Sequence, residues 1–366
     1  MSEPDAASDA RDAITQLTRR TALTGGAAGL AAVLLEACGS TAGSGTSSAA
    51  AATTTTPPVT SVFGVNGGYH FAFINHATAD TFFRPTVNGI EDACTLLNCS
   101  FSWTGSKSSN VGEMATAIRT AAGSGQVDGI ATTLISPLLA TPVNAAVGAG
   151  IPVISYNADE PNTDRLAYIG QDLELSGRKM GRTIKQLIPG GGKIAVFIAV
   201  PGSANLQPRL DGIKQELKGS NIRLIAPASG AAEQQDKTTI AAFVKQHLRS
   251  YQGYFAVDGG STEAVALALK QYDLRGKVVG GGFDLTPNTE TLLSEGWIQF
   301  AIDQQPYLQG FLATLELFMY KATRGLTGIA DVDTGLKFLY PHTIKPYATT
   351  RSRYEGTSTL VGIHRP

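Results

Sequence analysis

Between Tyr69 and Arg324 the chain repeats one local pattern: a short apolar run bounded by glycine or proline, then a stretch with apolar residues at helical spacing. Short apolar runs separated by helical stretches read as parallel strands covered by helices on both faces. The pattern predicts strands at Tyr69–Asn75, Ser100–Trp103, Val127–Leu134 and Ile151–Tyr156, with helices over 86–97, 111–122 and 138–149. It then restarts with a helix over 173–188, in which Gly177 and Gly181 leave room for a close neighbour, and the strand Lys193–Val200, which reads as fully buried. A helix with Leu206, Leu210, Ile213 and Leu217 on one stripe follows, then strand Ile222–Ala226, helix 238–248, strand Gly253–Val257 and helix 262–272. Two such rounds predict an α/β protein of two doubly wound parallel-sheet lobes with a cleft between them.

The stretch Lys277–Pro306 places the chemistry. Val278 and Val279 lead through three glycines to Phe283 and Asp284, a buried strand that delivers one carboxylate at its C-terminal end. Thr286 and Pro287 then read as N-cap and first residue of a helix that Gly296 ends. Trp297–Gln304 alternates as a strand, and Pro306 opens a long helix to Arg324. Asp284 and Gln304 therefore fall at the C-terminal edge of a sheet, where open α/β sheets bind ligands.

A net charge of −1 with 16% charged residues argues against a nucleic-acid partner, which requires a basic surface. Enzyme signatures are missing. The five histidines show no metal spacing, and Gly190–Lys193 lacks the glycine spacing and the Ser or Thr of a phosphate loop. The body has no Gly-x-Ser-x-Gly elbow. No catalytic residue, metal or cofactor is expected. Cys94 and Cys99 are expected to form a local disulfide in an exported protein.

Export is read from the N-terminus. Thr18–Thr24 resembles a twin-arginine motif at Arg19-Arg20, and the apolar run Ala22–Leu35 has signal-peptide length. Ala22 stands where a bulky apolar residue is usual, so twin-arginine and general export both stay open. Leu35-Glu36-Ala37-Cys38 resembles a lipoprotein cleavage site, with Glu36 departing from the usual small or apolar residue. The expectation is a signal peptide over 1–37 and a lipid anchor on Cys38. A Ser/Thr/Ala/Gly/Pro linker over 38–61 would act as a tether of roughly 25 Å.

Polar and aromatic residues gather at the strand ends: Asp80, Phe82, Phe83, Trp103 and Asn157 in the first lobe, and Asn205, Gln207, Arg209, Asp258, Asp284 and Gln304 in the second. Carboxylates and amides accept and donate in pairs, which suits vicinal hydroxyls, and aromatic faces suit the C–H face of a sugar ring. Each residue alone could equally cap a turn.

In order and spacing, TFFRPTVNGIEDA, VDGIATTLISP, AGIPVISYNAD, IGQDLELSG, RLDGIKQEL, YFAVDGG, VVGGGFDLTPNTETLLSEG and AIDQQP resemble the type I periplasmic sugar-binding proteins that serve ABC importers. The resemblance spans about Tyr69 to Tyr340. It implies two lobes joined by a three-segment hinge, with crossings near Gly170-Gln171, Gln304-Gln305 and Asp333–Lys337. The first lobe would take 62–170 plus 305–335, and the second 171–304 plus 336–366. It implies that Phe82 and Phe83 sandwich a ring, that Asp80 and Asp258 stand where ribose binders carry Asn, and that Asp284 and Gln304 match directly. The family's Asp-Arg after the fourth strand is Asn157-Ala158 here, which points away from ribose toward another sugar, a polyol or a cyclitol. The implied partners are that ligand and an ABC permease, with the protein a monomer on the outer face of the membrane. A sugar-responsive regulator would need a DNA-binding head where the signal stands. A ligand presenter for a membrane sensor or chemoreceptor stays open.

Overall fold

The computed structural model describes residues 67–248, 250–326, 329–349, 351–354 and 363–364. The expected signal, tether and Cys38 lie outside the described residues. The first lobe carries strands β1 (His70–Asn75), β2 (Ser100–Gly105), β3 (Gly129–Thr132), β4 (Val153–Tyr156) and β5 (Ala167–Gly170), with helices α1 (Arg84–Leu97), α2 (Val111–Gly123) and α3 (Ala140–Gly148) between them. The second begins with α4 (Leu173–Leu187) and continues β6 (Gly192–Phe197), α5 (Gln207–Leu217), β7 (Ile222–Ile225), α6 (Glu233–Gln246), β8 (Gly253–Ala256), α7 (Gly259–Gln271), β9 (Val279–Phe283), α8 (Pro287–Ser294) and β10 (Phe300–Asp303). Helix α9 (Pro306–Ala322) returns to the first lobe, where β11 (Val332–Asp333) pairs with β5, and β12 (Lys337–Leu339) pairs with β10 in the second. One sheet runs β11-β5-β4-β3-β1-β2 and is parallel throughout; the other runs β12-β10-β9-β8-β6-β7 and is parallel except at β12. The chain thus passes between the sheets at 171–172, 304–305 and 334–336.

Both faces of each sheet are covered, which is why the strands are apolar on both sides. Phe71, Phe73 and Tyr156 pack with Ile90 of α1 and Leu317 of α9, while Ile74, Ile130 and Val153 pack with Met114, Ile118 and Val143. In the second lobe Val196, Phe255 and Phe300 face Met180, Ile184 and Ile213, and Phe197, Tyr254 and Ala256 face Ile240, Val265 and Leu269. Helices α4 and α5 cross at backbone contact. A Cβ on Gly177 would lie 2.0 Å from the Arg209 carbonyl oxygen, and one on Gly212 would lie 2.2 Å from that of Glu174. That close approach fixes where α5 carries Arg209.

Helices α6 and α7 begin five and three residues before the expected Thr238 and Thr262. Acidic Glu233 and Asp236 occupy the first turn of α6, where the helix dipole favours them. Asp258 caps α7. Two further expectations are corrected. Cys94 and Cys99 are free thiols and not a disulfide. Left-handed Asn98 (φ 53°) turns the chain between them and brings their sulfurs into a 3.2 Å hydrogen bond, well beyond the roughly 2.05 Å of a disulfide. The tail does not stay with the second lobe. After α10 (Lys345–Thr349), Arg353 reaches α1 of the first lobe, donating to Asp92 at 3.0 Å, to Glu91 and to the Asn88 carbonyl at 3.3 Å. A guanidinium with so little exposure needs anionic partners, and α1 supplies two.

Candidate functional site

The glycine run Gly280–Gly282 lets β9 lie against its neighbours. A Cβ on Gly282 would meet Thr262 Oγ1 at 2.1 Å, and one on Gly281 would meet the Phe300 ring at 2.6 Å. Asp284 follows in the left-handed region (φ 73°), as do Asn157 (64°) and Gln305 (58°). Non-glycine residues hold this conformation only where the surroundings enforce it, and such residues cluster at functional sites. Asp284 does not cap α8. Thr286 does, accepting from the Thr289 N–H at 3.1 Å while its hydroxyl donates to Glu263 at 2.6 Å.

The Asp284 carboxylate is buried and accepts from Gln304 Nε2 at 2.5 Å. Gln304 Oε1 in turn accepts from Asn157 Nδ2 at 3.3 Å and from Gln309 Nε2 at 3.3 Å, and Asn157 also donates to Gln309 Oε1 at 3.2 Å. This chain of amides joins a second-lobe carboxylate, the middle crossing and the first lobe. Arg209 lies beside it, 3% exposed, with its guanidinium 4.2 Å over the Phe283 ring. Its Nη1 donates to the Val257 carbonyl at 2.9 Å and its Nη2 to Gln171 Oε1 at 3.1 Å, while its buried Nε has no protein partner. Gln171 Nε2 donates to the Gly335 carbonyl at 3.2 Å, so Arg209 is held through the first and third crossings. Burial pushes the Asp284 carboxyl up to about 7, against the opposing pull of Arg209 and the Gln304 bond.

The other expected residues divide. Asp258 is engaged by the fold: it accepts from Ser261 N at 2.8 Å, Ser261 Oγ at 3.0 Å and Ala199 N at 3.2 Å. Asp80 caps the short 3-10 turn Thr81–Phe83 by accepting from Phe82 N at 2.9 Å. Water reaches Asp80, yet the surrounding protein raises its pKa, helped by Asp258, Glu233 and Glu263 of the second lobe. Phe82 lines a cavity of about 30 Å³ together with Pro85, Leu285 and Pro287. Phe83 instead is a core residue, packed against His76 at 5.3 Å and Trp103 at 6.3 Å. Trp103 directs its Nε1 to the Thr78 carbonyl at 3.4 Å. Gln207 closes its own turn, accepting from Gly202 N and donating to Asp211, so it stands apart from the network. Asn205 lies half-buried in the turn before α5.

Sequence reasoning missed Gln171, Gln309 and Asp236. Asp236, 3% exposed, accepts from Ser261 Oγ at 3.0 Å and is raised to about 6 by burial and then by Asp258. Its signal was the acidic first turn of α6. A larger cavity of about 760 Å³ is an open groove between β2 and α2, lined by Ser102, Thr104, Glu113 and Thr116, and none of the network residues borders it. Among the described residues no cluster of three His, Cys, Asp or Glu could hold a metal ion, and no helix is long and apolar enough to cross a membrane. The lips of the two lobes touch where Ala204 N donates to the Ile135 carbonyl at 3.3 Å. Guanidinium, carboxylate and amides in one buried junction offer donors and acceptors side by side, which suits recognition of a polyhydroxy compound.

Comparison with known proteins agrees with this arrangement. The model of the periplasmic binding protein domain matches residues 71–322. The chain is 41% identical over 307 residues to the xylose/arabinose-binding protein XylF of Sulfolobus acidocaldarius, covering 80% of this chain and 75% of that one. A solute-binding protein of an ABC transporter from Burkholderia graminis, solved with D-arabinose, superposes with a TM-score of 0.71 at 25% identity, covering 76% of this chain and 97% of the other. A carbohydrate transporter protein from Acidothermus cellulolyticus 11B, solved with myo-inositol, gives 0.69 at 27%, covering 80% and 100%. The two-lobed sheets, the 41% identical relative and the matched domain together show that this chain belongs to the periplasmic binding protein family, and the relatives named here are sugar-binding members of it.

Proposed function

We propose that the protein captures an aldopentose, xylose or arabinose, outside the cell membrane and presents it to an ABC permease. The observation that carries this reading is the buried junction of Arg209, Asp284, Gln304 and Asn157, with donors and acceptors drawn from both lobes. Closure of the lobes around the ligand would shift the population toward the bound form. Asp284 would accept hydroxyls, Arg209 Nε would donate to ring or hydroxyl oxygen, and Phe82 would lie against the ring. The pentose assignment is supported by the 41% identical xylose/arabinose-binding relative and by the arabinose-bound neighbour. Export by the N-terminal signal and anchorage through Cys38 complete the reading.

A thermal-shift panel of pentoses, hexoses, polyols and inositols tests it, because a ligand that binds only the native state raises the melting temperature. D-xylose or L-arabinose should give the largest shift. A panel in which inositol or a hexose stabilises and neither pentose does would overturn the pentose assignment. Mass spectrometry of the native protein should find a diacylglyceryl group on an N-terminal Cys38 peptide; an unmodified Cys38 inside a longer peptide would refute the anchor.

A further inference from the structure

We propose that the C-terminal tail is a fourth tie between the lobes, one that limits their opening and so lengthens the residence of bound sugar. It rests on the lobe-closure reading above, and its first readout needs no sugar. The tail is anchored at both ends. In the second lobe, Tyr347 is 7% exposed and packs in the core with Leu292, Leu339 and Ile344. Its hydroxyl donates to Asp303 at 3.3 Å, and Lys337 Nζ stands 4.7 Å over its ring. In the first lobe, Arg353 binds Glu91, Asp92 and the Asn88 carbonyl, and Asn88 Nδ2 donates back to the Arg353 carbonyl at 3.0 Å. Tyr307 of α9 donates to the same Asp92 at 2.9 Å.

The tail also grips the hinge. The Tyr354 hydroxyl donates to Gln305 Oε1 at 2.7 Å, and its ring lies 5.6 Å from that of Tyr307. Gln305 belongs to the middle crossing and donates to the Thr334 carbonyl in the last one. Between Phe82 and Pro85 of the first lobe and Leu285 and Pro287 of the second, Tyr347 and Tyr354 wall the cavity of about 30 Å³. That space holds about one water and no sugar, so the tail seals one flank of the interlobe junction.

The reach of the chain makes this a mechanical constraint. Five residues separate Tyr347 from Arg353, and the six Cα-to-Cα steps between them span at most about 22 Å when fully extended. The lobes cannot part further on this side while both anchors hold. Arg353 is the releasable end: it is held by ion pairs, whereas Tyr347 is held by apolar packing. A tie that raises the closed fraction before ligand arrives raises apparent affinity in proportion.

Two variants test the tie: Arg353→Gln in the full-length protein, and a chain ending at Thr349, which keeps Tyr347. Small-angle scattering of the sugar-free protein should give a larger radius of gyration for both than for the unchanged protein. Stopped-flow release of D-xylose should be at least about threefold faster, following the lost closed fraction. An unchanged radius of gyration in Arg353→Gln overturns the proposal. So does a lower melting temperature with unchanged radius and release, which is what a merely structural contact would produce. If the shortened chain does not fold, Arg353→Gln decides alone. If D-xylose does not bind, the scattering result still stands and the failure belongs to the ligand assignment.

Discussion

Asp284→Asn separates recognition from stability at one atom. Asp284 is 5% exposed, and raising its carboxyl from 3.8 to about 7 corresponds to about 4 kcal/mol of preference for the neutral form in the folded protein. Because the folded value lies above the unfolded one, this contribution to stability is complete below about pH 4 and is lost as pH rises through 7. Asparagine keeps an oxygen for Gln304 Nε2 and carries no charge. Measured by denaturant unfolding without sugar, the variant should gain up to about 4 kcal/mol on the unchanged protein between pH 4 and pH 8. Binding should move the other way. One or two charge-assisted bonds to sugar hydroxyls contribute about 1.5–3 kcal/mol each, so calorimetry with D-xylose or L-arabinose at pH 8 should show a loss of about tenfold or more. Affinity of the unchanged protein should also fall on acidification below 7, while that of the variant stays flat. Equal destabilisation at pH 5 and pH 8 with pentose affinity within twofold would refute the reasoning and make Asp284 a scaffold residue.

Three further outcomes follow from the packing and burial. His76 is buried and lowered to about 4, so its contribution is complete above 6.5 and is lost as pH falls through 4; His76→Gln should flatten the acid limb of an unfolding-versus-pH curve by about 3 kcal/mol. Gly212→Ala places a Cβ 2.2 Å from the Glu174 carbonyl, forcing α4 and α5 apart; a loss of about 1–3 kcal/mol in chemical denaturation should come with weaker pentose binding through displaced Arg209. Alkylation of the native protein should reach half-buried Cys99 before buried Cys94, and two unreactive thiols in unreduced, unfolded protein would contradict the free pair.

The order of strands and helices was legible from the chain because it is local: apolar runs of a few residues, glycine and proline boundaries, and the Thr286-Pro287 start each act within one element. That same locality put Asp284 and Gln304 at a sheet edge, since a residue that ends a parallel strand has nowhere else to go. Other decisions were made between elements far apart in sequence. Phe82 and Phe83 are adjacent and chemically identical, and only packing against His76 and Trp103 assigned Phe83 to the core. Gln207 and Arg209 lie two apart on one helix and so point to different faces; the contact of α4 with α5 chose Arg209 for the junction. Gln171 and Gln309 carry no local signal, because their partners lie across the crossings. The tail reads as an ordinary polar segment until α1 supplies two carboxylates for Arg353, more than 250 residues earlier in the chain. Local sequence determined which elements form and at which sheet edge Asp284 and Gln304 lie. Long-range burial of charge decided which side chains meet there, because the cost of hiding a guanidinium or carboxylate depends on partners that no local pattern contains.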